Sequence, residues 1–159
     1  MSRTGKLISA AVLALGVASA AMGAWAAVDK EAIVKERQDF MKAQSADNKA
    51  INDYAKGMGT KEDAQKAADD LVIRSQKIVS LFPAGTSSTD MPGKTNAKAL
   101  IWTDHDKFMA VPVALHEHAT KVSALIKTGT PAEVGAAQAD LGKNGCGACH
   151  GTFREPLNH

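Results

Sequence analysis

Aromatic residues are scarce in this chain of 159: they make up 4%, with one tyrosine, two tryptophans and four phenylalanines. Few aromatics beside abundant alanine favour helix over a β-sandwich. There are only two cysteines, too few for a disulfide-rich scaffold, and their close spacing points to another use. An excess of one charge is also missing. A formal net charge of +2 is too small for a nucleic-acid binder. The remainder is ordinary for one globular domain, with 45% hydrophobic and 23% charged residues, which argues against disorder.

The first residues read as a targeting segment. Arg3 and Lys6 form a positive start, residues 7–21 form an uncharged run of apolar and small residues, and Ala24-Trp25-Ala26 supplies a small-x-small cleavage site. The run is too short and too rich in Ala, Gly and Ser for a membrane anchor. The expected organisation is a cleaved signal peptide over 1–26 and one domain over 27–159, with no membrane span in the mature chain. Losing Arg3 and Lys6 cancels the formal charge. The mature protein is expected to be exported, near neutral, and periplasmic.

The mature chain has helical period almost throughout. Over 29–56 an inward stripe of Val34, Arg37, Met41, Gln44, Asn48, Ile51 and Ala55 recurs at spacings of three and four. A second stretch, 61–81, carries Ala64, Ala68, Leu71, Ser75 and Ile78, then Phe82. A third, about 97–127, carries Ile101, His105, Phe108, Leu115, Ala119, Val122 and Ile126, with Pro112 predicting a kink or break. The fourth opens on the cap Thr130-Pro131, carries Val134, Ala137, Leu141 and Ala148, and stops at Glu155-Pro156. Short links at 57–60 and 128–131 make their flanking helices antiparallel neighbours. The Gly-, Pro- and Ser-rich stretch 83–96 is the long crossover. The expected fold class is all-α, an antiparallel four-helix bundle.

One motif carries chemistry: Cys146-Gly147-Ala148-Cys149-His150. The C-x-x-C-H pattern attaches a c-type haem, whose vinyl groups become thioethers on the two cysteines. On a helix Cys149 lies about 60° to one side of Cys146 and His150 about 40° to the other, so the three share one face. The imidazole then reaches the iron as its proximal ligand. A zinc site would need four ligands and a second cysteine pair, which the chain lacks. A thioredoxin-like redox pair wants a βαβ context, and no strand is predicted. The cofactor expected is one covalent haem c.

With that motif on a long helix near the C-terminus, the sequence resembles the class II cytochromes c, the cytochrome c′ family. The resemblance runs from Glu36-Arg37-Gln38 through Phe82-Pro83-Ala84-Gly85-Thr86, Asp90 and Ile101-Trp102 to Phe153-Arg154. Phe153 stands where the family usually has tyrosine. Pro112, Gly145, Gly147 and Gly151 are less typical and bear on local helix geometry. The resemblance implies a four-helix bundle with haem bound near the C-terminus. It also implies haem-propionate surroundings made by Arg37, Gln38 and Asp90, and a place for Arg154 near His150.

The family divides on the sixth iron position. Four residues after the arginine, most members carry an apolar residue and leave the iron five-coordinate and open to small gases; here Met41 stands there. The match implies the low-spin branch, in which His150 and Met41 both ligate iron, and hence an electron carrier exchanging electrons with transient redox partners, not an enzyme. The alternative is a five-coordinate protein binding NO or CO. A peroxidase-like enzyme is a weaker third reading that lacks a distal His/Arg pair. Oligomeric state is open between monomer and homodimer. Arg37, in a stripe that should be buried, needs an internal anion, which propionates would supply, unless it snorkels at the bundle edge. His105, His116 and His118 read as surface or boundary residues. Trp102 and Phe108 read as core, and Glu62 with Lys66 as a helix-surface pair.

Overall fold

The computed structural model describes residues 29–156, so the signal segment assigned to 1–26 lies outside the described residues. Three of the four bundle helices begin where a side chain satisfies an otherwise orphaned backbone N–H, the exception being the one that opens at His105. Helix α1, Lys30–Ala55, starts where Asp29 Oδ1 accepts from Ala32 N at 3.0 Å. Helix α2, Lys61–Ser75, starts where Thr60 Oγ1 accepts from Asp63 N at 3.1 Å. The last helix opens with a reciprocal Thr130–Glu133 capping box and Pro131 in its first turn. Between α1 and α2 the chain turns at Gly57, φ +74°, a left-handed conformation that costs glycine nothing.

The third helix is interrupted, but not at Pro112. A short helix α3, Leu100–Thr103, ends at Asp104, whose φ of −120° and ψ of 58° leave the helical region. Helix α4, His105–Thr128, then runs unbroken through Pro112. The break puts His105 off the inward stripe and leaves it exposed, while Ile101 and Phe108 on either side stay buried. Inside α4 the proline has no N–H to give to the carbonyl of Phe108. Pro112→Ala is therefore expected to stabilise the protein by roughly 1–3 kcal/mol, read as a higher denaturant midpoint at unchanged slope; a lower midpoint would show that the ring's packing outweighs the missing bond.

The fourth helix is continuous but changes pitch. Helix α5, Pro131–Asp140, passes into a π-helical stretch, Leu141–Gly147, and then into α6, Ala148–Phe153. The wider turn shifts the inward face: Val134, Ala137, Leu141, Gly145 and Phe153 are buried, whereas Ala148, expected inward, is exposed. A Cβ on Gly145 would stand 3.1 Å from Leu141 Cδ1 and 3.2 Å from Leu115 Cδ1, so a larger residue would have to push both leucine side chains aside for this stretch to lie as close to α4. The unusual glycines noted in the sequence therefore accompany a departure from α geometry at the haem motif.

Helix α1 packs on α2 and α5, and α4 packs on the same two, closing a four-helix bundle. Its core is Ile51, Ala64, Ala68, Leu71, Ile78, Phe108, Leu115, Val122, Ile126, Val134 and Leu141. The second helix stops at Ser75, six residues short of the expected end, and tighter turns lead to a 3-10 turn at Val79–Leu81. The crossover is tied to the chain's end by an isolated antiparallel bridge, Ala97 to Arg154. Lys98 N donates to Phe153 O at 2.9 Å, and Glu155 N donates to Asn96 O at 2.7 Å. Lys66 pairs with Asp70 at 2.6 Å, not with Glu62. No helix among the described residues is long and apolar enough to cross a membrane.

Candidate haem-binding site

Packing is incomplete along the inward face of α1. Along α1 the stripe is buried at Val34, Arg37 and Ile51, but Met41, Gln44 and Asn48 between them are only half-buried. They face two clefts, of about 660 Å³ and 180 Å³. Met41 and Ser45 from one side, with Cys149 and His150 from the other, line both. The larger volume is in the range of a cofactor site. The π-helical stretch and α6 thus bring Cys146, Cys149 and His150 to the wall facing α1. Cys146 lines the smaller cleft only.

The thiols are free. Burial holds both above the usual cysteine value; Cys149 is pushed up to about 11, with Cys146 adding to the shift and Arg154 partly opposing it. A redox-active pair needs the reverse, a thiol lowered towards neutrality. Among the described residues no group of three or more His, Cys, Asp or Glu side chains is placed to hold a metal ion. Burial, and then the Arg154 charge, holds the His150 pKa below its usual value. That favours a neutral imidazole, the form that binds metals.

Arg37 does not snorkel. It is 4% exposed, and its terminal nitrogens donate to Leu81 O at 3.3 Å, Thr86 Oγ1 at 3.2 Å, Thr86 O at 3.0 Å and Thr95 Oγ1 at 2.7 Å. The guanidinium also stands over the Phe82 ring, 4.5 Å from its centroid. Every acceptor is neutral, and burial lowers its pKa. A buried cation without a carboxylate, lining the larger cleft, fits a cofactor that brings its own anions. Gln38, exposed, donates from Nε2 to Lys94 O at 2.8 Å and lines the same cleft, with Arg154 opposite.

Asp90 departs from the expectation. It is not among the residues lining the larger cleft; its Oδ2 accepts from Ser87 Oγ at 2.5 Å and Ser87 N at 3.2 Å. These bonds hold its carboxyl below the usual range. The side chain caps its own loop turn, and an ionised carboxylate would repel a propionate.

Among the described residues, His105, His116 and His118 stand away from the clefts. His105 is exposed. His116 Nδ1 lies 3.0 Å from Ser75 Oγ, joining α4 to the end of α2, and His118 Nδ1 lies 3.1 Å from Asp140 Oδ2. Phe108 is core, 1% exposed, and stacks edge-on with Phe82 and Phe153 at 5.1 and 5.4 Å. Trp102 is half-buried and donates from Nε1 to Phe82 O at 3.0 Å. Sequence reasoning gave no role to Thr86, Thr95 or Gln44. For Gln44 a signal existed, a polar residue in a stripe that should be apolar; for Thr95 there was none.

A bundle with a C-x-x-C-H wall facing an unfilled, cation-lined cleft defines a protein that carries covalent haem c. The sequence profile described as cytochrome c′ matches residues 32–154. The chain is 33% identical to cytochrome c′ of Pararhodospirillum photometricum over 126 residues, covering 79% of this chain and 98% of that protein. The solved structure of a cytochrome c′ from Rhodobacter spheriodes superposes with a TM-score of 0.73 at 30% identity, covering 81% and 99% of the two chains. A cytochrome c′ from Alcaligenes xylosoxidans, solved as a ferrous variant with bound NO, shares the fold with a TM-score of 0.69 at 23% identity, covering 82% and 98%. The chain belongs to the cytochrome c′ family. These likenesses establish the family and not the methionine-ligated branch within it.

Proposed function

We propose that this is an exported, periplasmic haem c protein that binds small gases, NO or CO, at an iron held by His150, on the side lined by Met41. The observation that carries the reading is the space beside Met41: the cleft continues past it between α1 and the haem-motif wall. When bound, the haem would supply an iron able to take a diatomic ligand. Cys146 and Cys149 would hold it covalently, and His150 would offer the iron a nitrogen. Arg37, Gln38 and Arg154 offer positive charge and polar contact to propionates at the outer cleft. The apolar side chains Ile78, Val111 and Leu115 exclude water at the inner one. Binding and not turnover is the activity we assign to these residues.

A second reading has its own support. Met41 and His150 line the same two clefts from opposite walls, an arrangement that also suits His/Met ligation and electron transfer to a transient partner. Optical spectra of the purified holoprotein separate the two. Gas binding requires a high-spin ferrous iron that takes up CO, and Met41→Ala should accelerate uptake about tenfold or more by opening the approach, without a change of spin state. A low-spin spectrum with a methionine-to-iron charge-transfer band, and no CO uptake until Met41 is truncated, would establish the carrier instead.

A further inference from the structure

We propose that Gln44 is a hydrogen-bond donor to the iron-bound gas, and that it selects ligands carrying partial negative charge when bound, such as NO, over CO. The inference rests on the gas-binding reading and specifies its ligand preference. Gln44 lines the inner cleft together with Met41, Cys146, Cys149 and His150. Its Nε2 is buried and has no hydrogen-bond partner among the described residues.

A buried donor left unpaired is rare in native proteins and costs more than an average hydrogen bond gains. The other two buried side-chain atoms without partners, Gln65 Oε1 and Gln138 Oε1, differ in kind. In each, the amide nitrogen is already bonded: Gln65 Nε2 to Asp69 and Ser123, Gln138 Nε2 to Asn48. Only at Gln44, among the described residues, is the donor itself the orphan.

Its surroundings do not relieve it. Ile78, Val111 and Leu115 offer no acceptor side chains, and the neighbouring Asn48 amide oxygen is engaged by Gln138. A macrocycle edge and its thioethers are apolar as well. A diatomic ligand on the α1 side brings lone pairs into this cleft. The donor bond grows with the negative charge on the ligand's outer atom, which is the basis of discrimination by a preorganised dipole.

The test uses the ferrous holoprotein with CO as the probe and infrared detection. A donor aimed at the outer oxygen lowers the bound C–O stretching frequency, so Gln44→Leu should raise it. The same variant should release NO about tenfold faster, the loss of one neutral hydrogen bond, and change CO release far less. Thermal unfolding of the ligand-free holoprotein should be unchanged or improved, because an unsatisfied donor has been removed. Gln44→Met, unbranched and of similar length, gives the same readings should the leucine variant fold poorly. An unmoved stretching frequency and NO release in both variants overturns the assignment of Gln44 and leaves gas binding standing. A wild-type iron that refuses CO overturns both.

Discussion

A chain with Cys146 and Cys149 both replaced by alanine is expected to lose most of its tertiary stability. Among the described residues, the side chains between α1 and the haem-motif wall stay half-buried and line a cleft instead of meeting. At about 24 cal/mol per Å³ of unfilled cavity, the 180 Å³ inner cleft alone corresponds to roughly 4 kcal/mol. That is a large share of the 5–15 kcal/mol of an ordinary domain. Helix content should largely survive, since the caps and the Ala-rich α2 interface are remote from the clefts. The expected product is compact and helical with broadened, weakly cooperative thermal unfolding and strong ANS binding. Sharp unfolding at the parent's midpoint would show that the bundle closes by itself.

Arg37→Ala is expected to destabilise the holoprotein by roughly 3–5 kcal/mol, the scale of breaking a buried, hydrogen-bonded charge. The guanidinium joins three segments: the 3-10 turn through Leu81 O, the crossover through Thr86 and the bridge region through Thr95. Truncation strands these acceptors and removes the face-on partner of Phe82. Denaturant unfolding at unchanged slope measures the loss. Arg37→Lys should recover only part of it, because an ammonium cannot fork between Leu81, Thr86 and Thr95. A cost below about 1 kcal/mol for the alanine variant would mean that the crossover is held by its own turns.

The haem wall was legible in the sequence because its information is local. Five consecutive residues specify the thioether and imidazole donors, and the 3.6-residue period of an α-helix places them on one face. Thr130, Pro131 and Glu133 state a helix start within four residues. The place of Met41 on the cleft wall was legible by register, four residues from Arg37 on the same helix. Asp90 was misplaced because its partner is three residues away: a carboxylate beside serine in a loop bonds its own backbone before it reaches a distant cofactor. His105 was misplaced by a break at Asp104 that no glycine or proline announces.

The sequence by itself determined the cofactor class and the bundle architecture: a C-x-x-C-H motif for covalent haem c, and amphipathic stripes that can be buried only against one another. Tertiary structure alone decided where the third helix breaks, how the fourth widens at Leu141–Gly147, and which oxygens receive Arg37. Those partners lie 44 to 58 positions away along the chain. The physical reason is range. Capping, period and motif spacing act within one or two turns of chain, whereas the fit of Gly145 against Leu115 or of Arg37 over Phe82 exists only once four helices have met around a space the protein does not fill.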